Sequence, residues 1–332
     1  MSEPPSAPAH GLPQPGPVVS VLVTNWNGMA VLGQCLQSVI DRTRGLLYEI
    51  IVVDDASTDG SAAMVRARFP QVRLVERSVN GGFVRANNEG VRHAIGRYVL
   101  LLNSDTVLLN DALTILAAHL DAHAVTGICG GWLTDPGGAS QVSYGSFPSF
   151  SQGCIDALFL NDLFPSCNLP NRGVRPRPGA HEHLTVDYVT GAALMCRREL
   201  IGRIGLFDER FQAYCEEVDF CFRALVEGLA TAFVPAARIL HYGGTSYGRL
   251  GRKKIQIHYT SYNVFLVKHH GRAYAFATRL LYAFHFSVKF VVRTGRFVIS
   301  RKASRPSRGV AIREALYIVL YSLRPGYPPD RS

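Results

Sequence analysis

Apolar and polar positions follow two different periods along the first hundred residues. Four short apolar runs rich in β-branched residues predict buried strands, at residues 18–24, 48–53, 72–75 and 98–102. Three segments between them repeat their apolar residues at helical spacing, at residues 29–42, 62–68 and 83–95. Strands separated by helices of this length indicate a parallel α/β sheet covered by helices.

The composition is that of a folded protein. The chain has 332 residues, of which 47% are hydrophobic and 18% are charged. Such a chain can bury a sizeable core and is not disordered throughout. No apolar run free of charge reaches the roughly 20 residues of a confident membrane-spanning helix. The length fits one large domain, or one domain with an appendage.

Positive charge is concentrated in the C-terminal quarter. Residues 249–332 contain 17 Lys and Arg against two acids, whereas residues 1–248 contain 18 basic and 23 acidic residues. The excess charge therefore belongs to one segment and not to the whole surface. This distribution argues against a nucleic-acid-binding protein, and we expect no nucleic acid among the partners.

The N-terminus and the cysteines favour a cytoplasmic protein. Residues 1–17 are proline-rich and lack both the basic start and the apolar stretch of a secretory signal, so we expect a disordered tail. The seven cysteines are scattered, with no CxxC pair. This pattern favours reduced, mostly buried thiols over a disulfide framework or a cysteine zinc site.

Polar residues end three of the predicted strands. They are Thr24 and Asn25, then Asp54 and Asp55, then Asn103, Ser104 and Asp105. Any one group could be a turn or a helix cap. Ligands of such sheets bind outside the carboxyl ends of the strands, however, so three polar ends together indicate a binding site. No GxGxxG motif follows the first strand and no Walker loop is present, so neither explains the acids.

The adjacent carboxylates need a partner. Two acids after a buried strand repel each other unless a cation or a hydrogen-bond donor lies between them. The candidates are a divalent cation and the N–H groups of a nucleotide base. Asp105, together with carbonyl or water oxygens and a diphosphate, suits Mg²⁺ or Mn²⁺.

A second group of acids lies further along the chain. Glu216, Glu217 and Asp219 follow the aromatic residues Phe211 and Tyr214 and open an apolar helical segment. Acids in the first turn interact favourably with the helix dipole, which could account for them structurally. Their apolar surroundings favour a functional role instead, because charges are seldom crowded there without one.

These motifs together resemble glycosyltransferase family 2, the inverting class with the GT-A fold. The resemblance covers roughly residues 18–250, in the family's order and spacing. The blocks that carry it are VSVLVTNWNG, IVVDDASTDGS, NGGFVRANNEG, YVLLLNSDTVL, GAALMCRREL, GLFDERFQAYCEEVDFCFR and HYGGTS. The chain looks most like bacterial rhamnosyltransferases and related cell-envelope enzymes. The resemblance implies a Rossmann-like mixed sheet flanked by helices and a nucleotide-sugar donor.

The resemblance also assigns donor-binding roles. It implies that Thr24 and Asp54 contact the nucleoside, with Asp54 accepting from the base, and that the neighbouring Asn25, Asp55, Asn103 and Ser104 line the donor site. Arg85 and Asn88 fall in the block that lines the cleft. The family usually has a small residue at position 85, so Arg85 could either reach the diphosphate or be solvated.

The metal and catalytic roles follow in the same way. Asn103 replaces the first acid of the usual D-x-D motif, which leaves Asp105 as the metal ligand, and His241 matches the position that completes the Mg²⁺ or Mn²⁺ shell. Family pattern makes Glu217 the general base and puts Asp219 against the acceptor. The choice between Glu216 and Glu217 stays open, because a glutamate stands where the family has an aspartate.

The C-terminal segment, residues 251–332, is expected to be a basic, aromatic-rich helical appendage. Residues 274–300 have an apolar stripe bounded by basic residues, which suits a helix lying on an anionic membrane. A helical hairpin packed on the catalytic domain 18–250 fits the same pattern, with a second helix at 312–323. Membrane contact would suit a glycan or lipid-linked acceptor and a peripheral location on the inner face of the plasma membrane.

Other readings remain open. The donor could be dTDP-rhamnose or a UDP-sugar, and Asn103 raises the alternative of an inactive nucleotide- or glycan-binding homologue. An RNA-binding protein is disfavoured, because its aromatic residues would stack bases on a sheet, whereas these lie at helical spacing. The sequence does not define the oligomeric state.

Overall fold

The computed structural model describes residues 16–163, 173–177, 179–243 and 252–299. The expected helix at 312–323, the proline-rich tail up to residue 15 and the expected domain boundary at 250 lie outside these residues. Within them the strands are β1 (Val19–Asn25), β2 (Tyr48–Asp54), β3 (Arg73–Glu76), β4 (Tyr98–Asn103), β5 (Thr106–Leu108), β6 (Thr126–Thr134), β7 (Tyr144–Gly145), β8 (Leu184–Val186), β9 (Tyr188–Val189), β10 (Ala193–Arg197) and β11 (Ala230–His241).

Helices cover both faces of the sheet that these strands form. They are α1 (Leu32–Arg42), α2 (Ser61–Arg68), α3 (Phe83–Val91), α4 (Ala112–Ala122), α5 (Phe150–Ala157), α6 (Leu160–Leu163), α7 (Arg198–Ile204), α8 (Glu216–Val226), α9 (Arg252–His270) and α10 (Arg272–Ile299). Helices α1, α2 and α4 pack on one face. Helices α3, α7, α8 and α9 pack on the other, with part of α10.

The central sheet has nine strands and is mixed. Its order is β3-β2-β1-β4-β10-β6-β11-β5, and β8 pairs with β11, while β7 and β9 form a separate two-stranded sheet. The first four strands of the chain are parallel, as their apolar runs predict, whereas β10 runs antiparallel between β4 and β6. The predicted α/β class is confirmed.

Strand register aligns the predicted polar strand ends. Asn25 lies opposite Asp54 on β2, and Thr24 lies opposite Asn103 on β4. The antiparallel β10 begins at this same edge, since its first residue, Ala193, lies opposite Leu102. The carboxyl ends of β1, β2 and β4 and the segment that enters β10 therefore meet along one edge, which we call the catalytic edge.

A break in β11 brings a distant residue to the same edge. Its register against β6 shifts between Val234 and Arg238, around Pro235, which cannot donate to the ladder. Beyond the break, β11 pairs with β5 and sets His241 opposite Thr106. His241 consequently lies beside Asp105, which immediately precedes β5.

The two C-terminal helices pack on the rest of the protein. Tyr262, Phe265 and Leu266 of α9 are buried in the same apolar cluster as α8. The hydroxyl of Ser261 donates to the carbonyl of Ala213 (2.7 Å), just before α8. Helix α9 is therefore packed on the body of the protein, whereas the second helix of the expected hairpin, at 312–323, lies outside the described residues.

Helix α10 has both a packed and an exposed side. Its stretch Arg272–Val292 is, among the described residues, long and apolar enough to cross a bilayer by length and composition alone, although it contains Arg279 and Lys289. One side buries Ala275, Thr278 and Tyr282. The residues of the other side are about half exposed or more: Phe276, Leu280, Phe284, Val291 and Val292.

The described cysteines are free thiols. Cys35, Cys129, Cys196 and Cys221 are buried, and burial raises the pKa of the Cys35 and Cys221 thiols to about 12. A thiol that stays protonated is a poor nucleophile and a poor metal ligand. These cysteines are therefore structural, as their scattered spacing predicts.

Candidate active site

Asn25 and Asp54 form the first polar pair of the catalytic edge. The side-chain amide of Asn25 donates to Asp54 Oδ1 (2.8 Å) and to the Ser61 hydroxyl (2.9 Å). Asp54 Oδ2 accepts from the backbone N–H of Ser57 (2.9 Å). Both Asn25 and Asp54 are buried. Asp54 is the last residue of β2, and its hydrogen bond to Ser57 fixes the loop between β2 and α2. Thr24, half-buried, precedes Asn25 on β1.

Asp55 has a different set of donors. Its carboxylate accepts from the Arg77 guanidinium (2.5 Å) and from the backbone N–H groups of Gly81 (3.0 Å) and Gly82 (2.8 Å). The sequence suggested a cation or a base between Asp54 and Asp55. The protein itself supplies hydrogen-bond donors to both carboxylates, and the two carboxylates bind different donors. No ligand is therefore needed to keep the two acids next to each other.

Two predicted donor-binding residues on α3 have protein partners. The side chain of Asn88 donates to the Phe207 carbonyl (2.9 Å) and accepts from the Phe207 N–H (3.0 Å), which ties α3 to the loop before α8. Arg85 pairs with Glu209 at 3.1 Å, and both side chains are more than half exposed. Exposed pairs of this kind contribute little to stability, so Arg85 can change partner at small cost.

Asp105 and His241, which the sequence predicts as metal ligands, lie side by side, and we call them the metal pair. Asp105 Oδ1 lies 3.3 Å from His241 Nε2, and both side chains are largely buried. Gln141 holds the other side of the imidazole, because its Nε2 donates to the His241 carbonyl (2.8 Å) and its Oε1 lies 2.9 Å from His241 Nδ1. The carbonyl can only accept, so Oε1 is the amide atom that faces Nδ1, and Nδ1 carries the proton.

This arrangement fits a divalent cation. With the proton on Nδ1, a neutral His241 presents the lone pair of Nε2 towards an Asp105 oxygen, and two acceptors face each other. A cation between them would satisfy both, and an imidazole oriented by a hydrogen bond on its other nitrogen is typical of metal ligands. The donor set of one carboxylate and one imidazole leaves room for water and diphosphate oxygens, which suits Mn²⁺ or Mg²⁺.

Asn103 and Ser104 join the metal pair to the sheet. The backbone N–H of Asn103 donates to the Ala192 carbonyl (2.9 Å), and its own carbonyl accepts from the Thr106 hydroxyl (2.7 Å). Its side-chain Oδ1 is buried and has no hydrogen-bond partner among the described residues. Ser104 lies under the loop after β1, where a Cβ on Gly28 would be 3.4 Å from its hydroxyl.

A strained turn directs the two glutamates. Tyr214 and Cys215, just before α8, both have left-handed backbone conformations, with φ of 65° and 66°. Non-glycine residues adopt this conformation only where the surrounding structure enforces it, often at functional sites. The turn places Glu216 and Glu217 in the first turn of α8, as the sequence predicts.

Glu217 reaches the catalytic edge through Gly191. A Cβ added at Gly191 would lie 3.6 Å from the Glu217 Cβ and 3.8 Å from its carboxyl carbon. Gly191 precedes Ala192, whose carbonyl accepts from Asn103, two residues before Asp105. Glu217 and the metal pair are therefore linked by short contacts at the same edge of the sheet.

The surroundings make both glutamates weak acids. Burial raises the pKa of Glu217, opposed in part by backbone hydrogen bonds that include the Gly191 N–H. Burial and then the charge of Glu217 raise the pKa of Glu216 well above its usual value. Burial, followed by the two glutamates, also raises the pKa of Tyr214 to about 12. A carboxylate with a raised pKa accepts protons more readily, which is what a general base requires.

Asp219 has a structural role. Its side chain is fully buried and accepts from Arg223 (2.8 Å), Lys268 (2.6 Å) and His269 (2.8 Å). Burial opposes ionisation, but hydrogen bonds from His269 and Lys268 prevail and lower the pKa of Asp219. The expectation that Asp219 touches the acceptor is therefore wrong for this structure, because no part of its side chain is accessible.

Sequence reasoning missed three residues of this region. Lys268 and His269 reach Asp219 from α9, and Gln141 holds His241 from a loop after β6. Lys268 and His269 lie in the C-terminal appendage, beyond the blocks that carry the family resemblance, and nothing in the sequence indicates that they contact Asp219. Gln141 lies in no recognisable motif.

Comparison with known proteins gives the family of this chain. The family model for glycosyl transferase family 2 matches residues 20–204. The chain belongs to this family and is a glycosyltransferase. N-acetylglucosaminyl-diphospho-decaprenol L-rhamnosyltransferase of Mycobacterium tuberculosis is 27% identical over 232 residues, covering 67% of this chain and 75% of that protein. Rhamnosyltransferase WbbL of Escherichia coli is 25% identical over 170 residues, covering 48% and 61%.

A solved structure confirms the GT-A fold. The mannosyltransferase PcManGT from Pyrobaculum calidifontis, in complex with GDP-Man and Mn²⁺, superposes with a TM-score of 0.57. The match covers 93% of this glycosyltransferase and 87% of the other chain at 16% sequence identity. At that identity the similarity concerns the fold.

Proposed function

We propose that this glycosyltransferase is a metal-dependent, inverting enzyme of cell-envelope polysaccharide synthesis. It would move a sugar from a nucleotide-diphosphate donor, dTDP-rhamnose or a UDP-sugar, to a hydroxyl of a glycan or lipid-linked acceptor. One observation carries the proposal. Glu217 and the Asp105–His241 pair lie on the same edge of the sheet, joined through Gly191 and Asn103.

The donor would lie across the ends of β1, β2 and β4. Thr24, Asn25, Asp54 and Asp55 border the nucleoside part of this site, with Asn103 and Ser104 nearer the diphosphate. Asp54 and Asp55 have protein partners already, so their role would be to hold the loops that receive the nucleoside. Arg85 would leave its exposed partner Glu209 to approach the diphosphate.

Asp105 and His241 would hold Mg²⁺ or Mn²⁺. When bound, the cation supplies Lewis-acid stabilisation for the departing diphosphate. Gln141 keeps the proton of His241 on Nδ1, so that Nε2 stays an electron-pair donor towards the site. The buried Oδ1 of Asn103 offers a further oxygen to a bound water.

Glu217 would act as the general base. Its carboxylate accepts the proton of the acceptor hydroxyl as that oxygen attacks the anomeric carbon, and the nucleoside diphosphate leaves from the opposite side of the sugar. A single displacement of this kind inverts the anomeric configuration and needs no covalent intermediate. Gly191 has no side chain beside the Glu217 carboxyl, which leaves space for the acceptor. Glu216, which is more buried, would keep its proton.

The relatives support the choice of substrates. The Mycobacterium tuberculosis protein is named for transfer of L-rhamnose to N-acetylglucosaminyl-diphospho-decaprenol, and the Escherichia coli protein is also named a rhamnosyltransferase. A lipid-linked acceptor requires access to a membrane. We therefore propose that residues 251–332 are an appendage that holds the enzyme on the inner face of the plasma membrane.

The membrane contact would use the outer side of α10. Phe276, Leu280 and Phe284 follow one another at helical spacing and are about half exposed. Residues 251–332 carry 16 basic and two acidic residues, which complements an anionic lipid surface. A helix of this kind would lie along the headgroups with its aromatic side inserted.

The function is tested by a donor screen on the purified full-length protein. With Mn²⁺, a lipid-linked glycan acceptor and an excess of each nucleotide sugar in turn, we expect release of nucleoside diphosphate from one class of donor. EDTA and Glu217→Gln should each abolish the release, and NMR of the glycosylated product should show the inverted anomer. Activity that survives EDTA, or retention of configuration, would contradict the mechanism.

An inactive binding homologue is the second candidate, and Asn103 at the position of a metal-binding acid favours it. Such a protein would bind a nucleotide sugar in the same screen, seen as a rise in Tm, but release no nucleoside diphosphate with any donor and any acceptor.

A further inference from the structure

Three histidines meet at the edge of the sheet opposite the catalytic edge. His119 lies in the last turn of α4, His123 follows that helix, and His183 directly precedes β8. Their ring centroids are 4.2 to 4.9 Å apart, and one ligand nitrogen from each ring lies within 4.8 Å of the others. Among the described residues, no other group of His, Cys, Asp and Glu comes together in this way.

The neighbouring contacts identify that edge. Asp121, between the two helical histidines, accepts from the hydroxyl of Tyr98 (2.6 Å), which begins β4. Arg197, which ends β10, donates to the carbonyls of Leu120 (2.6 Å) and His123 (3.2 Å). Asn103 and Asp105 lie at the far end of β4, so the histidine cluster is separate from the catalytic metal pair.

The hydrogen bonds of the cluster leave nitrogen lone pairs unused. His123 Nδ1 lies 2.8 Å from the His119 carbonyl. That oxygen can only accept, so Nδ1 carries the proton and Nε2 keeps the lone pair. His119 is only 8% exposed, and its Nε2 has no hydrogen-bond partner in the described part of the chain. A buried polar atom without a partner costs free energy unless something at the site satisfies it.

The accessibility of the cluster also suits a ligand. His183 is exposed, so the site opens to solvent on that side and a cation can enter.

We propose that His119, His123 and His183 bind a transition-metal dication, with Zn²⁺ as the best fit. Three imidazoles and an open position are a common Zn²⁺ environment, and nitrogen ligands favour Zn²⁺ over the Mg²⁺ or Mn²⁺ of an oxygen-rich site. Zn²⁺ holds nitrogen at about 2.0–2.1 Å, so the three rings would move closer together around the bound ion. A water molecule would occupy the fourth position.

The site would join two distant parts of the chain. His119 and His123 lie at the end of α4, which covers one face of the sheet, whereas His183 leads into β8, which pairs with β11. A bound cation would fix the segment before β8 on the end of α4. Because it binds the folded state, it would raise the free energy of unfolding.

A Zn²⁺ titration tests the site. We would titrate the tag-free full-length protein with Zn²⁺ against a chromophoric chelator, with Mg²⁺ in excess to occupy oxygen-rich sites. We expect the wild type to bind Zn²⁺ and to gain Tm on binding. The exposed His183→Ala should weaken the affinity about 100-fold or more and remove the gain in Tm, because a three-ligand site loses one ligand.

Two controls distinguish this site from others. His181→Ala alters an exposed histidine two residues away and should leave the Zn²⁺ affinity unchanged. Asp105→Asn should likewise leave it unchanged, since the catalytic pair is at the opposite edge. A wild type that does not bind Zn²⁺, or a His183→Ala variant that binds it with wild-type affinity, would overturn the proposal.

Discussion

Glu217 packs its side chain against the backbone of Gly191, where an added Cβ would lie 3.6 Å from the Glu217 Cβ. Gly191 has no side chain of its own and leads into β10 through Ala192, which is hydrogen-bonded to Asn103. The glutamate thus faces the strand ends that carry the metal pair. Glu216, one residue earlier on α8, has no such contact among the described residues.

Glu217→Gln should lower kcat about 100- to 10,000-fold, the range in which a general base acts. The variant keeps the shape of the side chain, so donor affinity measured by calorimetry should stay close to that of the wild type. Glu216→Gln is the matched control and should keep most of the activity. If Glu216→Gln is inactive and Glu217→Gln turns over normally, the two roles are reversed.

Glu216 should make stability depend on pH. Burial, and then the charge of Glu217, raise its pKa in the folded protein, so the folded state binds the proton more tightly than the unfolded state. Its contribution to the free energy of unfolding is therefore fully present below the pKa that Glu216 has in the unfolded chain. This contribution is lost as the pH rises through the higher pKa that Glu216 has in the folded protein. We expect Glu216→Gln to stabilise the protein relative to the wild type at alkaline pH and much less at acidic pH.

Thermal unfolding over a range of pH measures this effect. Glu199→Gln removes an exposed carboxylate from α7 and serves as the control, with a difference in Tm that stays nearly constant with pH. A Glu216→Gln curve parallel to that of the wild type would show that Glu216 does not have a raised pKa.

Gln141 should support metal binding without touching the metal. It orients His241 through two hydrogen bonds, and loss of such an outer contact typically lowers metal affinity about 10- to 100-fold. Gln141→Leu should show this loss in a Mn²⁺ titration followed by electron paramagnetic resonance. At saturating Mn²⁺ its kcat should recover, whereas Asp105→Asn should not. Gln37→Leu, on the exposed side of α1, should bind Mn²⁺ like the wild type.

Asp219 should matter for stability more than for chemistry. Asp219→Asn removes the charge that pairs with Lys268, Arg223 and His269 and leaves those groups partly buried, so the free energy of unfolding should fall by about 3 kcal/mol or more. Denaturant unfolding measures the loss. Glu76→Gln breaks an exposed pair with Arg66 and should cost less than about 1 kcal/mol. Equal losses in the two variants would contradict the role given to Asp219.

The exposed side of α10 should decide membrane binding. Replacing Phe276, Leu280 and Phe284 by Ser should reduce binding to anionic vesicles in a sedimentation assay, because about half of each apolar side chain is available to the lipid. Binding by the wild type should weaken with salt. Val226→Ser, at an exposed position on α8, is the control. Unchanged sedimentation of the triple variant would rule out this surface.

The first strands of the sheet could be predicted because each one is marked by a pattern within a few consecutive residues. The apolar runs of β1, β2 and β4 are buried on both faces, and the polar residues that end them mark the edge where the strands finish. The run of β3 lies at the edge of the sheet and is partly exposed. The predicted helices differ mainly at their ends, as for α1, which begins at Leu32. The strands β5 and β8 are three residues each, too short for a pattern to identify them.

Partners of the polar residues could not be predicted in the same way. Asp55 is neutralised by Arg77 and by two glycine N–H groups, which depends on how the loop after β3 folds back. Asp219 is enclosed by side chains of α9, and that contact exists only once the C-terminal helices have packed. In both cases the sequence shows a carboxylate in a functional motif. The basic side chain that pairs with that carboxylate becomes its neighbour only in the folded protein.

The hydrogen bonds between Asp219 and helix α9 limit where this enzyme can be shortened. A chain cut at residue 250, where the family motifs end, would lose Lys268 and His269 and uncover the aromatic residues that α9 buries against α8. Removing the apolar C-terminal helices would improve solubility, but it would also weaken the packing around α8. A workable truncation has to retain α9 and the first half of α10, and end beyond Ala283.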